Sequence, residues 1–222
     1  MRYKFDGGNL LVGGATKQGK TSFLKEMIAD YLENKTSDEM EIIVLDTKGA
    51  GEYDEFAEKV RIYKDFIKIA SVLTSLVERI RAKEDGESQE KKIFLFIDEY
   101  GDMVLGEYMD EKARALLISI QVSVLTIAKN GYSRNISLTL ATNRINQDVL
   151  TDDLLECFPQ RVCFRVATAT ESAMIIPGFD AGAEILNGGG EMLVQYAPES
   201  APVFSRVKPK GCSPPSIIVE KD

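Results

Sequence analysis

Short, almost unbroken apolar runs alternate along this chain with longer segments whose apolar residues recur every three or four positions. NLLVGG (residues 9–14) is an apolar run ending in glycines and reads as a buried strand followed by a turn. KTSFLKEMIADYLEN comes next, with Phe23, Leu24, Met27, Ile28 and Leu32 at helical spacing. EIIVLDT (residues 41–47) predicts a second buried strand. A polar, glycine-containing loop then leads into DFIKIASVLTSLVERIRAK, which is again helical in period. IFLFIDEY (residues 93–100) places two acids behind an apolar run, and a long helix is predicted over 110–130. ISLTLATN (136–143), RVCFRVAT (161–168), GEMLVQYA (190–197) and APVFSRVK (201–208) read as further strands.

Uniformly apolar strands separated by helices predict an α/β fold of three layers, α/β/α, around a mainly parallel sheet. The last two strands lie only Pro198, Glu199 and Ser200 apart, so an antiparallel hairpin is expected at one edge. The charged stretch RAKEDGESQEKK (81–92) reads as a solvated connection. Residues 1–208 are expected to form one domain and residues 209–222 an extended tail.

Composition narrows the chemistry. With 222 residues, 44% of them apolar, the chain can bury one sizeable core. There are 27 basic against 35 acidic residues, a net charge of -8, which argues against a general affinity for polyanions but leaves room for a local basic strip. No histidine is present, which excludes a histidine-based triad, a histidine-ligated zinc site and a histidine general base. Cys157, Cys163 and Cys212 form no CxxC, suit a reducing compartment and read as small buried hydrophobes. The first residues contain no apolar leader. LLISIQVSVLTIA (116–128), the longest apolar stretch, is too short to span a bilayer and is interrupted by Ser119, Gln121 and Ser123. It reads as the flank of a buried helix. A soluble, cytoplasmic protein without direct membrane insertion is expected.

Residues 14–21 satisfy G-x-x-x-x-G-K-[ST], a phosphate-binding loop, with a strand before it and a helix after. Glycines let successive backbone N–H groups face phosphate oxygens at a helix N-terminus. Gly14, Ala15, Thr16, Lys17, Gln18, Gly19, Lys20, Thr21 and Ser22 are the candidate nucleotide-binding residues. Lys20 would set a point charge on the β- and γ-phosphates, and Thr21 would ligate Mg²⁺. At the end of 93–97, Asp98 would hold the same ion through water, and Glu99 would accept a proton from the attacking water. An acid pair of this kind suits nucleotide hydrolysis. Residues 34–38 imitate a guanine-reading NKxD with the aspartate one position late, which disfavours a GTPase. In residues 136–144, Thr142 or Asn143 could bring a polar group to the γ-phosphate.

Taken together, these segments resemble the motor domain of the FtsK/SpoIIIE proteins, within the FtsK–HerA class of hexameric DNA pumps. LLVGGATKQGKTS is similar to that family's LLVAGxTGSGKS, and Leu45-Asp46-Thr47-Lys48 to its I-D-P-K. Residues 97–103 resemble IDEFADL, residues 136–144 IHLVLATQR, and residues 158–162 IPTRI. GAEILNGGGEML (182–193) resembles GAEKLLGRGDML at equal length. The resemblance implies a P-loop NTPase of the RecA/ASCE type that uses ATP and Mg²⁺. It also implies a homo-hexameric ring around double-stranded DNA, delivered by a docking protein such as a capsid or membrane portal. An arginine acting across the subunit boundary is implied too. Arg161 matches the arginine of IPTR, with Arg144 and Arg134 as runners-up.

Three positions depart from the family: Asn143 stands where it has glutamine, and Thr47 and Ile145 where it has proline. A motor without an anchor or DNA-reading module, similar to small genome-packaging ATPases and minimal conjugative versions, is expected. A type VII-like secretion motor and a nucleotide-gated assembly module without turnover are the alternatives.

Overall fold

The computed structural model describes residues 5, 8–34, 39–82, 91–105, 111–178 and 182–207. Eight strands form one sheet: β1 (Leu10–Gly13), β2 (Met40–Asp46), β3 (Arg61–Tyr63), β4 (Lys92–Asp98), β5 (Ile136–Thr142), β6 (Gln160–Phe164), β7 (Glu191–Gln195) and β8 (Val203–Arg206). Their order is β3-β2-β4-β5-β1-β6-β7-β8. The six strands from β3 to β6 run parallel, whereas β7 is antiparallel to both β6 and β8. The sheet is therefore mainly parallel with an antiparallel edge, as the apolar runs predict.

Alternation along each strand divides the core. Ile42 and Val44 of β2 face the same side as α1 (Lys20–Asn34), where Phe23, Leu24 and Ile28 are fully buried. Ile43 and Leu45 face the other side, with α2 (Phe66–Arg81) and, after the short α3 (Tyr100–Val104), the long α4 (Glu111–Asn130). Two further short helices, α5 (Asp152–Leu155) and α6 (Ala169–Ile175), complete that layer. On the α1 side, Tyr31 stacks on Phe94 with ring centroids 4.1 Å apart. One buried amide crosses the other layer: Asn9 donates to the Ala128 and Cys157 carbonyls and accepts from the Leu138 N–H. It thereby ties α4, the end of α5 and β5 to the start of β1.

Several elements differ from the sequence reading. β6 stops at Phe164 rather than running to 168, because Thr168 caps α6. Its hydroxyl accepts from the Glu171 N–H while the Glu171 carboxylate accepts from the Thr168 N–H, a reciprocal capping box. The pattern T-x-x-E was present in the sequence, whereas the three-residue edge strand β3 carries no pattern long enough to read.

The 116–128 run belongs to a longer helical stretch. Residues Glu111–Arg134 are long and apolar enough to cross a membrane by length and composition. Here Ile120, Val124, Ile127 and Ala128 pack into the core, while Ile118 and Val122 stay exposed. The expected tail, Cys212, most of the charged connection and the NKxD-like residues 35–38 lie outside the described residues.

A phosphate loop facing a buried acid pair

Strand order builds the site. β5 lies between β1, which carries the phosphate loop, and β4, which carries the acids. Two strand spacings, roughly 10 Å, therefore separate the ends of β1 and β4, with the end of β5 between them. Parallel strands put all three C-termini on one edge, where open α/β sheets bind ligands.

The glycines of the loop serve packing as well as phosphate access. A Cβ on Gly14 would lie 2.6 Å from the Phe164 Cβ, and one on Gly19 would lie 3.1 Å from the Gly190 Cα. The run Gly188-Gly189-Gly190, in the segment that resembles GAEKLLGRGDML, has positive φ throughout and packs beside Gln18 and Gly19. Lys17 also has positive φ (64°), a conformation in which adjacent N–H groups converge into an anion nest. Ala15 donates to the Arg165 carbonyl at 2.9 Å, tying the loop to the end of β6.

Lys20, the first residue of α1, is 3% exposed. Its ammonium donates back to the carbonyls of Gly14 (3.0 Å) and Ala15 (3.2 Å) and lies 3.7 Å from the Glu99 Oε1. Burial lowers its pKa, against the opposing pull of Glu99 and Asp98.

Asp98 ends β4 and is equally buried. Its Oδ2 accepts from the hydroxyls of Thr21 (2.9 Å) and Tyr53 (2.8 Å), whereas its Oδ1 has no partner. Burial raises its pKa, the two hydroxyls oppose the shift, and neighbouring Glu99 adds to it. Burial also pushes the Tyr53 phenol far upward, reinforced by the charge of Asp98, so Tyr53 stays a donor.

Glu99 follows in left-handed backbone (φ 56°, ψ 48°), a conformation that a residue with a side chain adopts at a cost of about 1–3 kcal/mol and that gathers at functional sites. Its Oε1 accepts from Lys48 at 2.6 Å and its Oε2 is buried without a partner. Burial acts to lower the Lys48 pKa, but the hydrogen bond and charge of Glu99 outweigh it and leave the ammonium above its ordinary value.

Asn143 follows β5 and donates to the Thr16 hydroxyl at 3.3 Å, with its own Oδ1 unpartnered. The structure thus brings Lys20, Thr21, Asp98 and Glu99 together, with Asn143 against Thr16 of the same phosphate loop.

Arg161 is not brought there. It lies in β6, 9% exposed, and donates to the carbonyls of Leu155, Phe158, Met174 and Ile175. Reaching a neighbouring subunit's phosphate would break all four contacts, so the expected role in trans has no geometric support in this conformation. The motif match located a residue on a strand whose two faces are both covered, and alternation set Arg161 on the side of α5 and α6. Arg134 donates to the Ala82 carbonyl beyond the end of α2. Arg144 is half exposed and paired to Asp102 at 2.8 Å.

Lys48 and Tyr53 are the contacts that sequence reasoning missed. Lys48 stood in the stretch resembling I-D-P-K without an assigned role, and Tyr53 lay in a loop with no distinguishing pattern.

Among the described residues, no group of three or more histidine, cysteine or carboxylate side chains could hold a metal ion. That fits Mg²⁺, which takes one or two protein ligands and completes its shell with phosphate and water. Thr21 and the unpartnered oxygen of Asp98 would supply the protein side.

The model of the FtsK/SpoIIIE family matches residues 2–144. The chain belongs to the FtsK/SpoIIIE family. A DNA translocase FtsK from Chlorobaculum tepidum is 29% identical over 216 residues, covering 87% of this chain and 26% of that protein. The chain therefore spans about a quarter of the length of that FtsK relative. Among solved structures, the pCW3 conjugation coupling protein TcpA, in monomer form with ATPγS, superposes with a TM-score of 0.77 at 20% identity, over 90% of this chain and 60% of that one. The cytoplasmic domain of the Thermomonospora curvata type VII secretion ATPase EccC gives 0.70 at 18% identity, over 90% and 25%. At these identities the likeness establishes the P-loop ATPase fold that the FtsK/SpoIIIE family shares with them.

Proposed function

We propose that this chain is an ATP-hydrolysing motor domain that moves double-stranded DNA as part of a ring, most simply a homo-hexamer. The observation that carries the reading is the pairing of an intact phosphate loop with two buried acids, each keeping one unpartnered oxygen. Buried carboxylate oxygens are costly to leave unmet, and here the Mg²⁺–ATP substrate would meet them. Lys20 would leave the Gly14 and Ala15 carbonyls for the β- and γ-phosphates, and Thr21 and Asp98 would hold the ion. Bound Mg²⁺ would neutralise phosphate charge. Glu99 would accept the proton of the attacking water at its Oε2, and Asn143 would donate to the γ-phosphate.

Membership of the FtsK/SpoIIIE family and likeness to a DNA translocase favour DNA as the cargo. The acidic balance is compatible with this if basic contacts are confined to the pore of the ring, where each neutralised phosphate adds affinity through counterion release. Of Arg161, Arg144 and Arg134, Arg144 is the one whose guanidinium, among the described residues, meets a single partner in an exposed ion pair, which a neighbour's phosphate can displace. A capsid or membrane portal as the docking partner, in genome packaging or mobile-element transfer, is the setting the family resemblance implies.

The test is the steady-state ATPase rate with and without long duplex DNA, at low and moderate salt, with Glu99→Gln as the blank. Stimulation by duplex that fades with salt is the expected result. A ring whose rate ignores duplex overturns the DNA assignment and points to a protein cargo.

A further inference from the structure

Each acid of the pair has one oxygen tied and one free, and a single loop supplies a tie to both. The loop leaves β2 at Asp46, which is paired in register with Asp98. Its first turn is closed by Gly49, whose φ of 61° suits glycine and whose N–H donates to the Asp46 Oδ1 at 3.2 Å. Three side chains of the loop then reach the end of β4. Thr47 donates to the Asp98 carbonyl at 3.3 Å, Lys48 to the Glu99 Oε1 at 2.6 Å, and fully buried Tyr53 to the Asp98 Oδ2 at 2.8 Å. Farther on, Glu55 pairs with Lys25 of α1 at 2.6 Å, fastening the loop to the helix behind the phosphate loop.

The contacts differ in how they survive nucleotide binding. Lys20 is also near the Glu99 Oε1, but a P-loop lysine is needed at the phosphates once ATP is present. Lys48, whose side chain is partly exposed, lies outside the phosphate loop and would remain as the cation beside Glu99. Likewise Thr21 is shared between Asp98 and the metal, while Tyr53 has only Asp98 within its reach among the described contacts. A carboxylate held by one oxygen keeps its rotamer, and its second oxygen then presents in a constant direction.

We propose that the β2–β3 loop is a positioning clamp, in which Lys48 holds the Oε1 of Glu99 and Tyr53 holds the Oδ2 of Asp98. The clamp leaves the Glu99 Oε2 aimed for the attacking water and the Asp98 Oδ1 for the metal shell. This rests on Glu99 being the base and Asp98 the metal residue, as argued under the proposed function. Lys48 and Tyr53 touch neither nucleotide nor water in this account; they act through the two acids.

The experiment separates turnover from binding in the full chain, under the duplex-dependent conditions above, for Lys48→Met, Lys48→Arg, Tyr53→Phe and Glu99→Gln. Lys48→Met is expected to lower kcat by about 10- to 100-fold with unchanged affinity for ATPγS, and Lys48→Arg to recover most of the loss. Tyr53→Phe is expected to raise the Mg²⁺ concentration needed for metal-dependent ATPγS binding by about tenfold, with metal-free binding unaffected. Parent-like turnover in Lys48→Met together with a parent-like Mg²⁺ requirement in Tyr53→Phe overturns the clamp. So does loss of turnover and binding together without rescue by arginine, since that marks a merely structural contact. Parent-like turnover in Glu99→Gln brings down the assignment of the base and the clamp with it. An inactive Glu99→Gln beside normal Lys48→Met and Tyr53→Phe brings down the clamp alone.

Discussion

Two buried charged places in this molecule contrast in how fully their polar atoms are met. Around Arg161 every guanidinium nitrogen has a partner: set between β6, α5 and α6, it donates four of its five N–H groups to backbone carbonyls. At the acid pair the accounting stays open. Asp98, Glu99 and Asn143 each bury an oxygen with no partner, and Lys20 spends its donors on loop carbonyls. A charge with four of its five donors tied to carbonyls of its own chain has little left to offer a ligand and works as a fastener between elements. An under-satisfied cluster stores polar capacity that a substrate can use. The contrast sets the proposed roles apart, a fastening one for Arg161 and a substrate-binding one for the acids, where motif matching placed Arg161 among the candidate catalytic residues.

The contrast can be attacked from its strong side first. Lys20→Ala removes the buried ammonium at the phosphate loop and is expected to abolish measurable ATPγS binding; retained binding would mean the open polar atoms are not a nucleotide site. Glu99→Gln keeps the shape and removes the proton acceptor. It is expected to bind ATPγS like the parent and to lose about 10²–10⁴-fold in kcat, read by steady-state phosphate release. Arg161→Ala tests the closed place. Four carbonyls lose their donor, so stability is expected to fall by about 2–4 kcal/mol in denaturant melts, with ATPγS binding kept in the folded fraction. An unchanged melt with loss of duplex-stimulated turnover would instead restore Arg161 as the residue acting in trans.

The smallest effect on stability is expected from Asp98→Asn. Burial holds the Asp98 carboxyl above the usual carboxylate range in the folded state, so its ionised form is a liability there. The nucleotide-free protein should lose stability as pH rises from the unfolded carboxyl value through the folded one. Asparagine removes that slope and is expected to raise the melting temperature near neutral pH by about 2–4 °C, while weakening Mg²⁺-dependent nucleotide binding. A lowered melting temperature would show that the hydroxyls of Thr21 and Tyr53 outweigh the burial.

What could be read from the sequence is what local rules govern. The helix predicted over 20–34 is α1 to the residue, because its apolar spacing and the glycine loop before it are both short-range features. The buried strands β2 and β4 were legible from the apolar runs IIVL and IFLFI, since a strand covered on both faces has no polar side to show, whereas β5 is buried throughout although Ser137 and Thr139 interrupt its apolar residues. The residues of the phosphate loop and the acid pair were legible for a similar reason: backbone cradles and strand-end acids sit at fixed offsets from those elements.

Tertiary structure alone decided the rest. Lys48 and Glu99 are 51 residues apart, and Tyr53 and Asp98 are 45; they meet only because β2 lies beside β4 with Asp46 level with Asp98. Arg161 faces inward because the pleat of β6 points it to the layer of α5 and α6, which no one-dimensional match reports. Sequence patterns record what each segment needs from its own backbone and its own faces. Which side chains from distant segments share a charge or a hydrogen bond is set by strand order and register, and those depend on the whole chain packing at once.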